Sequence, residues 1–159
     1  MKTIIGIDPD SGDTGHGLSI YTEGLLTELM MAPTVYIVKE IFEKWDKETY
    51  IVSIENVLAS NAIYAKNKFR AKGRDKVAEN IMLKVGRCQC AQLELVRWAE
   101  YYGITYVLQR PSSNWKDSKS TTFAQKTGWT GRSNADTRSA AYFGYLALDH
   151  GKNTSKPQR

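Results

Sequence analysis

The sequence predicts an α/β domain, a mixed five-stranded sheet flanked by helices. Three observations carry that expectation. Short runs rich in β-branched and aromatic residues recur at 3–7, 15–21, 34–38, 50–54 and 104–108. A long segment of helical spacing separates the last two, and glycine- or proline-containing stretches punctuate the chain. Two early strands joined by a turn, then strands alternating with helices, imply an antiparallel hairpin followed by right-handed crossovers.

Thr3-Ile4-Ile5-Gly6-Ile7 has no polar alternation and reads as a strand buried on both faces. The turn-rich Asp8-Pro9-Asp10-Ser11-Gly12 ends it, and residues 15–21 return as its hairpin partner. Thr34-Val35-Tyr36-Ile37-Val38 reads as the third strand, and residues 41–47 as a short amphipathic helix carrying Phe42 and Trp45. Tyr50-Ile51-Val52-Ser53-Ile54 is another buried strand, followed at once by Glu55. Residues 59–75 are charged and aperiodic, which predicts a mobile loop. From 76 to 102, Val77, Ile81, Val85, Cys88, Leu95 and Trp98 recur at three-, four- and seven-residue intervals, which predicts a long amphipathic helix ended by Gly103. Residues 104–108 form the last strand, stopped by Pro111. Two shorter helices follow at 119–127 and 134–149, the second capped by Ser133 or Asn134.

With 159 residues, 42% of them hydrophobic and 25% charged, the chain suits one domain over 1–150 and a polar, basic tail over 151–159. That composition excludes an intrinsically disordered protein, and no apolar run is long enough to cross a bilayer, so no membrane partner is expected. Cys88 and Cys90 cannot build a disulfide framework and the start of the chain has no signal-peptide layout, which predicts a cytoplasmic protein. The net charge of +5 is unevenly divided: residues 1–60 hold 4 Lys/Arg and 10 Asp/Glu, and residues 61–159 the other 18 and 7. An acidic front and a basic back point to a polyanion-binding surface beside a carboxylate-rich site.

Two of the buried strands end in a carboxylate, Asp8 after Ile7 and Glu55 after Ile54. The carboxyl ends of strands are where α/β sheets place ligands. If these strands are neighbours, the two carboxylates converge and repel unless a cation lies between them. Oxygen ligands with no accompanying His/Cys cluster favour Mg²⁺ or Mn²⁺ over zinc. The alternative is that each is a turn or cap residue. Asp136, in the first turn of the last helix, either complements the helix dipole or turns toward this pair.

Ile4-Ile5-Gly6-Ile7-Asp8-Pro9-Asp10-Ser11 and Thr14-Gly15-His16-Gly17 resemble the opening of the RuvC-like Holliday-junction resolvases of the RNase H-like nuclease superfamily. Ser53-Ile54-Glu55-Asn56 resembles that family's strand-end glutamate, and Lys84 to Ala91 the small-residue segment of its central helix. Pro111 to Lys116, and Phe123 to Ala140, look like the forms carried by phages and prophages. The resemblance implies an RNase H-like fold and an endonuclease that resolves four-way junctions and related branched DNA by paired cuts on opposed strands. It also implies two Mg²⁺ or Mn²⁺ ions per active site and a C2 homodimer, joined along the long helix near Gly86 and Ala91. Asp8, Glu55 and Asp136 take the catalytic, metal-holding roles. The chain departs from the family at Asp10, where glycine is usual, and at Ser139, where an aspartate is usual one turn after Asp136. Ser139 is a neutral, weaker ligand.

DNA holding falls to basic residues. Lys66, Lys68, Arg70, Lys72 and Arg74 occur every second position, with Tyr64 and Phe69 interleaved to stack on or wedge between bases. Lys116, Lys119, Lys126, Arg132 and Arg138 form a second basic set. Rival readings are an actin-like phosphate loop, for which 159 residues leave no room, a non-catalytic or attenuated branched-DNA-binding protein, and a broader flap or fork nuclease.

Overall fold

The computed structural model describes residues 1–59 and 72–149. Tyr64, Lys66, Lys68, Phe69, Arg70 and the tail 151–159 lie outside the described residues. The strands are β1 (Thr3–Asp8), β2 (His16–Thr22), β3 (Leu25–Ala32), β4 (Tyr50–Glu55) and β5 (Tyr106–Gln109). They form a mixed sheet in the order β3-β2-β1-β4-β5. β1 and β2, and β2 and β3, pair antiparallel; β1 and β4, and β4 and β5, pair parallel. The helices are α1 (Thr34–Tyr36), which runs on as a wider π-type stretch over Ile37–Phe42, α2 (Asp75–Tyr102), α3 (Ser120–Thr127) and α4 (Ala135–Leu146).

The third strand is not where the β-branched run predicted it. Residues 34–38 are helical, and β3 lies upstream at Leu25–Ala32. Pro33 opens the helical segment with φ −69°. Ile37, Val38, Ile41 and Phe42 are buried while Lys39 is exposed, so the apolar residues repeat four apart and the helical period overrides β-propensity. The expected 41–47 helix therefore starts and ends earlier. β3 carries no strong strand signal, being an edge strand with mostly exposed or half-buried residues and no clean alternation. Its turn is legible afterwards: Glu23 and Gly24 have φ +53° and +85°, both left-handed, which closes a tight two-residue hairpin.

Alternation along the strands sorts the side chains between two faces. Ile5, Ile7, Leu18, Val52 and Ile54 join Ile37, Val38, Ile41, Phe42, Leu95 and Ala99 in the main core, beneath the π-type stretch and the C-terminal half of α2. Ile4, Tyr21 and Ile51 face the other way, toward Ala147 just past α4. There the α4 backbone is bonded directly to the sheet. Ser19 Oγ donates to the Ala140 carbonyl at 2.9 Å, Tyr21 OH to Ala141 at 2.8 Å and Ser53 Oγ to Phe143 at 2.7 Å. Gly6 permits this closeness, since a Cβ there would collide with the Ala140 carbonyl.

α2 follows the predicted span and ends at Gly103, φ +66°. It buries Ala78, Gln92, Leu95 and Ala99, most of them in its C-terminal half. Asn134 caps α4 in a reciprocal box: its side chain accepts from Thr137 N at 2.8 Å, and Asn134 N donates to Thr137 Oγ1 at 2.9 Å.

Candidate functional site

Register and alternation bring the acidic residues together. Ile7 pairs with Ile54, so Asp8 and Glu55 are side by side at the ends of parallel strands. Both share parity with Gly6 and Ser53, hence the face that carries α4. The first turn of α4 presents Asp136 there. Asp8, Asp10, Glu55 and Asp136 line one cleft of about 220 Å³, with Lys84, Val85 and Cys88 of α2 on its far wall and Lys116 entering from the β5–α3 loop.

The third carboxylate arrives because of Gly17. This residue pairs with Asp8 across the hairpin, and a Cβ on it would run into the Asp136 carbonyl. His16, beside it, is buried. Its Nδ1 accepts from Asp10 N at 3.1 Å and its Nε2 meets Thr34 Oγ1 at 2.8 Å, tying the Asp8–Asp10 turn to the start of α1. Burial pushes the His16 pKa down from 6.5, against the opposing pull of Asp10 and Asp8. On the β4 side, buried Gln92 accepts from Leu58 N at 3.1 Å and donates to Asn56 Oδ1 at 3.0 Å, holding the turn after Glu55 against α2. Gly17, His16 and Gln92 were not singled out from the sequence as site residues. Hairpin pairing of Gly17 with Asp8 was the available signal for the first; none existed for Gln92.

The electrostatics are those of crowded anions. Asp8 is 3% exposed. Glu55 is pushed up to about 8, chiefly by burial and then by its hydrogen bond to Asp8 and the Asp8 charge. Lys116 Nζ lies 3.0 Å from Asp8 Oδ2 and 3.4 Å from Asp136 Oδ1. Burial disfavours its ammonium, but the Asp8 charge and hydrogen bond, with Asp136 and Glu55 behind them, more than offset this and raise its pKa. Cys88 Sγ is 3.9 Å from Asp10 Oδ1, and burial raises its thiol pKa.

Carboxylate oxygens around a positive group suit a hard divalent cation, and the ammonium of Lys116 already sits where such a charge is wanted. Asp8, Glu55 and Asp136 supply the carboxylate oxygens that such an ion would need. They are not drawn into a closed cage: among the described residues no group of three or more His, Cys, Asp or Glu forms one. Ser139, one turn beyond Asp136, is buried, and its Oγ has no hydrogen-bond partner among the described residues.

Of the expected DNA-binding residues, Lys72, Arg74, Lys119, Lys126 and Arg132 are exposed. Lys126 lines a polar hollow with Ser113, Asn114, Trp115, Asp117 and Tyr142. Arg138 is engaged inside the fold: its guanidinium donates to the carbonyls of Trp115 and Lys116 at 3.3 and 3.0 Å, and to Ser133 Oγ at 3.3 Å.

No protein-family model matches the sequence, and no curated protein matches it. Among solved structures, the chain is similar to T. thermophilus RuvC in complex with a Holliday junction substrate, at 14% identity, covering 98% of both chains with a TM-score of 0.55. Its five-stranded mixed sheet, flanked by helices, is the RNase H-like α/β fold.

Proposed function

We propose that this chain is a divalent-metal-dependent endonuclease that resolves four-way junctions and related branched DNA. One observation carries the reading: three carboxylates from β1, β4 and α4 line a single cleft at the carboxyl ends of two parallel strands. The likeness to a junction-bound RuvC supports the same choice of substrate.

Asp8, adjacent to both others, Glu55 and Asp136 would hold two Mg²⁺ or Mn²⁺ ions, with Ser139 at most a weak addition. Bound there, the ions supply activation of water for in-line attack at phosphorus and stabilisation of the departing 3′ oxygen. The chain's own part is to fix Asp8 and Glu55 on strand ends and Asp136 on the first turn of α4 and, through His16 and Gln92, to hold the turns around the first two. No nucleophilic side chain is needed.

Lys72, Arg74, Lys119, Lys126 and Arg132 would contact phosphates, with Lys66, Lys68, Arg70, Tyr64 and Phe69 engaging the branch point. Cutting opposed strands requires two sites, hence a homodimer. The exposed flank of α2 supports this, since Leu83 is 56% exposed beside a groove also lined by Met82, Gly86, Ala91 and Leu93. The working unit would be a single domain over 1–150 with a basic tail. Among the described residues no helix is long and apolar enough to cross a membrane.

A second reading, an attenuated nuclease or a protein that only binds branched DNA, is favoured by the uncharged Ser139 beside Asp136. One assay separates the two: a labelled four-way junction and a linear duplex, each titrated with Mg²⁺ and Mn²⁺. Metal-dependent, paired cutting of the junction supports the nuclease; binding without cutting selects the alternative; absence of both cutting and binding removes both readings.

A further inference from the structure

The anionic cleft contains a cation supplied by the chain itself. Lys116 Nζ bridges Asp8 and Asp136 at 3.0 and 3.4 Å. Three features show that the ammonium is placed there by its surroundings. Trp115, the residue before it, has φ +63°, a left-handed backbone that a bulky side chain adopts only under constraint. The Trp115 ring is held among Phe123, Tyr142 and Tyr145, with centroids 5.8, 5.5 and 5.3 Å away. Arg138 then grips the peptide carbonyls of both Trp115 and Lys116. A strained residue, an aromatic socket and a guanidinium clamp all converge on the direction in which one side chain leaves the loop.

We infer that Lys116 is a built-in counter-ion for Asp8 and Asp136 that a divalent cation must displace, so that Lys116 sets the metal concentration at which the cleft loads. The inference rests on the metal-binding reading of this cleft proposed above. The ammonium occupies Asp8 Oδ2 and Asp136 Oδ1, and its positive charge repels a divalent ion brought to the same two carboxylates. Metal entry therefore works against the contacts of Lys116 with both aspartates, and the net affinity is reduced by what those contacts contributed. Without Lys116 the metal-free carboxylates repel one another unopposed, and binding of a cation gains more.

The test is calorimetric titration of the DNA-free protein with MnCl₂, comparing wild type, Lys116→Met, Lys116→Gln and Asp8→Asn, with melting temperatures recorded with and without Mn²⁺. Both Lys116 variants are expected to bind Mn²⁺ about ten-fold more tightly than wild type and to gain more thermal stability from it. A purely structural lysine would lower the melting temperature and leave the affinity where it was. Equal or weaker Mn²⁺ binding by both variants, with binding lost in Asp8→Asn, overturns the counter-ion and leaves the nuclease reading standing. Absence of Mn²⁺ binding in all four proteins overturns both.

Discussion

Gly17 lies directly beneath the backbone of Asp136, so close that even a methyl group at position 17 would strike the Asp136 carbonyl. Since Gly17 is also the hairpin partner of Asp8, one hydrogen atom in place of a side chain sets the approach of two acidic residues 128 positions apart in the chain. Gly17→Ala is expected to push the start of α4 off the sheet, destabilising the fold by about 1–3 kcal/mol. It should also weaken Mn²⁺ binding. Thermal denaturation and metal titration read the two effects, and an alanine variant unchanged in both would show that α4 accommodates the methyl group.

Asp8→Asn and Glu55→Gln each take away a carboxyl group able to ligate a cation, without changing the shape of the cleft. Each is expected to lower the rate of junction cleavage by on the order of 10³ while altering junction affinity little, as is chelation of the metal by EDTA. Single-turnover cleavage alongside electrophoretic binding assays distinguishes loss of chemistry from loss of contact. Wild-type rates in either variant would remove that carboxylate from the site.

Arg138 and the exposed lysines should behave differently although all were expected at the DNA surface. The guanidinium of Arg138 satisfies carbonyls inside the fold, so Arg138→Gln is expected to cost roughly 1–3 kcal/mol of stability. The salt dependence of DNA binding should be unaffected. Lys119→Ala and Lys126→Ala are expected to leave stability unchanged and to reduce the slope of log affinity against log salt by about 1 each. Chemical denaturation and binding at several salt concentrations make the comparison; a slope change in Arg138→Gln would restore it to the DNA-binding set.

His16 gives stability a dependence on pH with a definite sign. Its folded pKa lies below its unfolded value of 6.5 because burial disfavours the imidazolium. The unfolded chain therefore takes up a proton before the folded one does, and stability is lost as pH falls below about 6.5. The neighbouring Asp10 and Asp8 charges soften this without reversing it. His16→Gln should flatten the decline between about pH 7 and about pH 5. Urea midpoints measured across that range test it, with an unchanged decline in the variant assigning the acid sensitivity to other groups.

The parts of the fold legible in the sequence were those where a local pattern and the tertiary environment agree. β1 and β4 are central strands, buried on both faces, so their apolar runs have no competing interpretation. α2 is long enough for its period to show, and Gly103 and Asn134 mark helix ends by their own backbone preferences. Residues 34–38 went the other way because Val35, Ile37 and Val38 favour strands individually, while the four-residue repeat of Ile37, Val38, Ile41 and Phe42 decides the packing. At the cleft, Asp8 and Glu55 could be found because strand ends are informative positions. The tie from Gln92 to the turn after Glu55, and that from Lys116 to Asp8, join residues 34 and 108 positions apart, a distance over which no local pattern speaks.

The three hydroxyls that suspend α4 from the sheet bear on how the cleft can open. Ser19 and Tyr21 stand on β2 and Ser53 on β4, the two strands that flank β1. Together they anchor the helix at both sides of β1, and sliding it would sacrifice every one of these bonds at once. The opposite wall, the amino-terminal half of α2, has Ala78 as its only fully enclosed residue before Gln92. The acidic floor is thus tied to the sheet by hydrogen bonds, whereas the facing half of α2 is held by few buried side chains.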